Sequence, residues 1–155
     1  MKISDFLTPT AVFFDIEASN KNMLLHKLSQ KAAEILSLPA DDIASALLKR
    51  EDIGSTATGG GVASPHANIE AVIKPFGLLA KLRHPIDFEA VDGRSVDIIF
   101  ALLQPTKAEV THLEALASVA RKLSARETLL ELRRAQNPAQ LYSAMVGTKA
   151  DPPAH

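Results

Sequence analysis

The residues best equipped for chemistry fall in one stretch, 50–68, which reads REDIGSTATGGGVASPHAN. It offers an imidazole at His66, a guanidinium at Arg50, hydroxyls at Ser55 and Thr56, and glycines at Gly54, Gly59, Gly60 and Gly61. A neutral imidazole is a nucleophile available near neutral pH. Glycine lets a backbone bend through positive φ and bring N–H groups against an anion, and small hydroxyl side chains add donors without filling the space. Gly54, Ser55, Thr56 and the glycine run are therefore a candidate cradle for phosphoryl oxygens beside His66. Pro65 fixes its own φ and biases Ser64 towards an extended conformation, which limits how His66 is aimed. The competing explanation is a mobile loop carrying a histidine with no role. Two familiar phosphate motifs do not fit. No Lys-Ser or Lys-Thr pair closes the run as a P-loop requires, and GGGVAS is not the dinucleotide fingerprint.

The elements on either side must position this stretch. Residues 11–16, AVFFDI, read as a strand. Ser19 or Asn20 caps a helix in which Leu24, Leu28, Ala32 and Ile35 recur at helical spacing. His26 falls about 200° round that helix from Leu24 and is expected in solvent. A second helix covers about 39–50, with Pro39 near its first turn, Asp41 and Asp42 at its positive end, and Ile43 and Leu47 on its buried face. Arg50 then stands at the C-terminal end of this helix, where the dipole favours a cation, and within reach of whatever the next loop binds.

Downstream, 72–82 and 86–88 read as strands, with His84-Pro85 in a solvated connection. An Asp92-Gly93 turn follows, and then VDIIFALL at 96–103, whose continuous apolar run suits a central strand covered on both faces. A helix over about 111–123 is expected to pack Leu113, Leu116, Ala120 and Leu123, with Thr106 and Glu109 or Thr111 and Glu114 as its capping box. His112 flanks that stripe near the helix start, and on residue type alone it is a half-buried polar group. Ser124 and Glu127 cap a further helix bearing Leu129, Leu130 and Leu132, whose Arg126, Arg133 and Arg134 alternate with glutamates as a solvated face. Asn137-Pro138 opens a last helix with Leu141, Tyr142 and Met145. Strands alternating with helices make this an α/β layered domain.

A chain of 155 residues supports one domain with its own core. That domain is expected over 1–147, with 148–155, including His155, as a disordered tail. The absence of cysteine removes disulfide and thiol chemistry. A formal net charge of −1 argues against nucleic-acid or membrane-surface binding. No apolar run is long enough for a membrane span, and MKISDFLTPT lacks a signal-peptide core, so a soluble cytoplasmic protein is expected. Imidazole chemistry of the kind outlined needs no metal and no cofactor.

REDIGST at 50–56, the glycine-rich run, and then the G.A.PH pattern ending at His66 resemble the active-site segment of enzyme IIA of the phosphoenolpyruvate-dependent phosphotransferase system. The resemblance is to the mannitol and fructose type, most of all to its nitrogen-regulatory branch, and it runs from about Val12 to Met145. VDIIFALLQP at 96–105 and THL at 111–113 extend it. It implies a single layered domain with a mixed β-sheet sandwiched between α-helices. It also implies that His66 accepts a phosphoryl group, through Nε2, from a phosphorylated histidine carrier protein, HPr or its nitrogen-branch paralogue. His112 would lie beside it, orienting His66 or donating to the phosphoryl group, with Arg50 supplying positive charge.

The implied output is regulation of transporters or kinases by phosphorylation state, and assembly into a homo-oligomer is left open. With no permease region attached, a regulatory role is favoured over transport. A free-standing fructose or mannitol enzyme IIA and a non-catalytic interaction module are the alternatives. Two departures stand out. Ser64 occupies a place where relatives often have a branched apolar residue, and Ala67-Asn68 one where many have a small residue followed by a basic one, which puts one donor-recognition charge in doubt.

Overall fold

The continuous apolar run at the end of the central sequence becomes β6 (Val96–Gln104), the strand around which the others assemble. The computed structural model describes residues 1–107 and 109–147, so the expected tail at 148–155 lies outside the described residues. The other strands are β1 (Val12–Ile16), β2 (Ala57–Gly59), β3 (Val62–Ala63), β4 (His66–Asn68) and β5 (Phe76–Ile86). They form one mixed sheet in the order β1-β5-β6-β3-β2, with β4 also on β6. β5 runs antiparallel to β6, whereas β3 and β4 both run parallel to it, β3 opposite Ile98 and Ile99 and β4 opposite Leu102, Leu103 and Gln104.

Helices cover both faces. On one side, α1 (Lys21–Leu36) and α2 (Ala40–Ile53) bury Leu24, Leu28, Ile43 and Leu47 against Ile99, Ala101 and Leu103. On the other, α3 (Glu109–Ser124), α4 (Arg126–Arg134) and α5 (Pro138–Val146) bury Val119, Leu132, Leu141 and Met145 against Ile98, Phe100 and Leu102. Successive side chains of β6 therefore enter opposite cores, which is why the strand needs no polar face. Among the described residues no helix is long and apolar enough to cross a membrane.

Several local expectations hold. Asn20 caps α1 by accepting from the Met23 N–H, and Asn137 caps α5 by accepting from the Gln140 N–H. Others are corrected. The strand expected from 72 begins at Phe76, and His84-Pro85 lies inside β5, exposed, where pairing with β6 becomes irregular between Lys81 and Ile86. Ile35 at the end of α1 is exposed. The helix α3 begins at Glu109, so Thr111 lies within it and cannot be its cap. Its buried stripe is His112, Ala115, Val119 and Leu123, while Leu113 is 70% exposed. Ser124 is the last residue of α3, and Ala125 stands at the start of α4 with no side-chain cap.

Candidate functional site

The bond between α2 and β4 defines the site. Arg50, in the last turn of α2, donates from Nε to His66 Nε2 at 3.3 Å and from Nη1 to the Gly54 carbonyl at 2.9 Å. His66, half-buried on the short strand β4, has Nδ1 at 2.9 Å from the Ser64 carbonyl. An arginine has only donors and a carbonyl only accepts, so the two partners fix the tautomer: Nδ1 carries the proton and Nε2 carries the lone pair. The Pro65 carbonyl accepts from the Leu102 N–H at 2.8 Å and anchors the start of β4 on β6. The ring opens onto a depression of about 610 Å³ lined also by Asp42, Ser45, Lys49, Arg50, Ile53 and Asn68. A second depression, between α4 and α5, is lined by Arg134, Gln140 and Ser143 and contains no imidazole.

The turn at 54–56 is built around Glu51, which sequence reading missed. Its side chain is only 3% exposed, and its carboxylate accepts from the Thr56 N–H and the Thr56 hydroxyl, both at 2.8 Å, and from Lys21 at 3.3 Å. Ser55 donates its hydroxyl to the Phe88 carbonyl at 2.6 Å and accepts from the Ala57 N–H. Both hydroxyl protons are thus committed inside the protein, and Ser55 and Thr56 shape the turn from which the Gly54 carbonyl steadies Arg50. The signal for this was present in the sequence as an acid beside Arg50, five positions before a threonine. Burial of that acid was not readable from residue types.

The glycine run lies elsewhere. Gly59, Gly60 and Gly61 form the tip of the β2–β3 hairpin, all at positive φ. The Gly61 carbonyl accepts from the Asp97 and Ile98 N–H groups, whereas His66 faces Leu102, four residues further along β6 and about 13 Å away at about 3.3 Å per residue. The hairpin's base, where the Ser64 N–H donates to the Thr56 carbonyl, is the part near the site. The tip is fastened instead by Arg133, which binds Asp97 and the Gly60 carbonyl, and by Asp92, which accepts from the Gly60 N–H. Its N–H groups are therefore no cradle for a group on His66, and Arg133 is a clamp instead of part of a solvated face.

His112 lies in the buried stripe of α3, 8% exposed, with Nε2 sealed and without a hydrogen-bond partner among the described residues. Gln104, at the end of β6, donates to the His112 carbonyl at 3.4 Å. The structure thus joins His66, Arg50 and Gly54 directly, places Ser55 and Thr56 in the supporting turn, and sets His112 on the helix packed over the far end of β6. Among the described residues no cluster of acids and histidines has the form of a metal site.

Comparison with known proteins gives the family of the chain. The family model described as phosphoenolpyruvate-dependent sugar phosphotransferase system, EIIA 2, matches residues 5–146. A nitrogen regulatory protein of Bradyrhizobium diazoefficiens is 40% identical over 94% of this chain and 95% of its own length. One from Escherichia coli K12 is 35% identical over 98% and 94%. Among solved structures, the nitrogen regulatory protein IIA-Ntr of Neisseria meningitidis superposes with a TM-score of 0.87 at 31% identity, covering 92% of this chain and 98% of that one. Sugar-specific components of the same system match at lower identity. The chain belongs to the type-2 enzyme IIA family of the phosphoenolpyruvate-dependent phosphotransferase system, and in sequence it stands nearer to the nitrogen regulatory proteins of that family than to its sugar-specific components.

Proposed function

We propose that His66 Nε2 takes a phosphoryl group from the phosphohistidine of a donor carrier protein, and that this protein then regulates partners, transporters or kinases, according to whether it carries that group. The observation behind the reading is the fixed tautomer: a lone pair on Nε2, facing an open depression, with a guanidinium 3.3 Å away. In the transfer, the Nε2 lone pair forms a bond to phosphorus as the donor's N–P bond breaks, and that bond's electron pair returns to the donor ring. The Nδ1 proton stays on His66 and remains donated to Ser64 O, so the product ring is a phosphoimidazolium held by a carbonyl dipole. One N–P bond replaces another, which leaves the protein to position the groups and stabilise charge.

Arg50 is placed to move from Nε2 to the phosphoryl oxygens once phosphorus occupies the nitrogen, and its planar fork suits such an anion. In this reading His112, buried on α3, is the second imidazole, which orients His66 or donates to the phosphoryl group. Gly54, Ser55 and Thr56 contribute by holding the turn, with Gly54 in direct contact with Arg50.

Incubation with phosphoenolpyruvate, the first enzyme of the relay and its histidine carrier, followed by intact-mass measurement, tests the reading. A single acid-labile, base-stable phosphate adduct is expected on the native protein and none on a folded His66→Ala variant. An adduct retained by His66→Ala would overturn it. Passage of label onward to fructose or mannitol through a permease component would place the protein in sugar uptake instead.

A further inference from the structure

Two buried side-chain atoms lack any hydrogen-bond partner among the described residues, Gln104 Oε1 and His112 Nε2. Buried polar atoms are paired in the great majority of proteins, so two orphans at one place need an explanation. They are chemically complementary, because a carboxamide oxygen can only accept and an imidazole nitrogen can donate. The residues are also already joined: the Gln104 amide nitrogen donates to the His112 carbonyl at 3.4 Å, which brings the oxygen of the same carboxamide to the first turns of α3. Gln104 is 1% exposed and His112 8%.

Gln104 further links the two histidine-bearing elements. Its backbone carbonyl accepts from the Ile69 N–H at 2.7 Å, just past the strand that carries His66, and it lies opposite Asn68 in the β4–β6 register. A side chain in this position can set one imidazole relative to the other.

We propose that Gln104 is the positioning residue for His112: its Oε1 receives the ring Nε2–H through one buried water, and so holds the second imidazole set for the phosphoryl group on His66. With Nε2–H engaged, the ring cannot turn without breaking a buried hydrogen bond, and Nδ1 is the nitrogen left to face the phosphoryl group. The kinetic consequence rests on the phosphoryl-transfer reading above. The hydrogen bond itself does not.

The test uses the whole protein, native and as Gln104→Leu, Gln104→Glu and His112→Ala. In proton–nitrogen NMR spectra recorded without any phosphoryl donor, the native protein is expected to show a His112 ring N–H protected from solvent exchange. Gln104→Glu, which keeps an acceptor oxygen, retains that signal, and Gln104→Leu loses it. Single-turnover transfer to His66 slows about tenfold in Gln104→Leu, and combining Gln104→Leu with His112→Ala is no slower than His112→Ala alone. Persistence of the protected proton in Gln104→Leu, its absence from the native protein, or multiplying rate effects would overturn the proposal. If the native protein takes no phosphate at all, the spectra still decide the hydrogen bond, and only the transfer reading falls.

Discussion

At the scale of single residues, the proposed function rests on how one ring is held from both sides. Ser64 O fixes the proton on Nδ1 and Arg50 Nε lies against the Nε2 lone pair, so His66 is in its nucleophilic form before any partner arrives. Arg50 is itself tied to Gly54 O, a contact that a lysine ammonium cannot make together with the one to His66. Arg50→Lys is therefore expected to slow single-turnover phosphoryl transfer by about one hundredfold, the scale of losing a preorganised charged donor, while His66 stays modifiable. An unchanged rate would show that the guanidinium is there only for the helix end. Behind Arg50, the Glu51 carboxylate is nearly sealed and depends on the Thr56 hydroxyl for one of its hydrogen bonds. Thr56→Val removes that donor at constant shape and is expected to cost about 1.5–3 kcal/mol in urea unfolding. A loss well below that would mean the carboxylate finds another partner.

At the scale of elements, the parallel run of β3 and then β4 along the same side of β6 carries the chain from the glycine tip to His66. His66 comes only five positions after Gly61 in the sequence, yet the run along β6 turns that gap into a wide separation in space. Gly61 has φ +82°, and a Cβ there would lie 2.6 Å from Arg133 Nη2. Gly61→Ala is thus expected to destabilise the fold by about 1–3 kcal/mol while leaving the phosphoryl-transfer rate unchanged. A large drop in transfer by the folded variant would return the tip to the active site.

This is also where the sequence was most and least legible. The apolar run of β6, the caps Asn20 and Asn137, and Arg50 at the end of α2 follow from local patterns that tertiary contacts reinforce. Of the expected α3 stripe, Leu123 is buried and Leu116 packs against the core, but Leu113 and Ala120 are exposed, because apolar residues occur on more than one side of that helix. The deciding fact, that the histidine faces inwards and Leu113 outwards, comes from packing against the sheet. The roles of Glu51 and Arg133 were hidden for the same reason: each charge is matched by a partner brought in from another element.

At the scale of the whole molecule, charged clasps bind the loops at the sheet's margins, and they give the fold a defined pH window. The Gly60 and Arg94 N–H groups hold the Asp92 carboxyl below the usual carboxylate range, and the Arg83 guanidinium does the same for Asp15. A lowered folded-state pKa stabilises above the unfolded value, about 3.9, and that contribution is lost as pH falls through the folded one. Burial alone would lower the Lys21 pKa, but its hydrogen bond to Glu89 and the charge of Glu51 outweigh this and raise it. Its contribution is complete below about pH 10.4 and disappears as pH rises through the folded value. Thermal melts from pH 3 to 11 are expected to show a plateau with both limbs, the acid limb shallower in Asp92→Asn and the alkaline limb shallower in Lys21→Met. Superimposable curves for all three proteins would contradict these assignments.

The proposed function comes down to a single atom, Nε2 of His66, which faces Arg50 and carries the lone pair that would take phosphorus. Nitrogen NMR of histidine-labelled protein, phosphorylated through the carrier relay, reads that atom directly. The expected spectrum shows phosphorus–nitrogen coupling at His66 Nε2, with Nδ1 still protonated. Coupling at Nδ1, coupling at His112, or an acid-stable phosphate on a serine or threonine would contradict it.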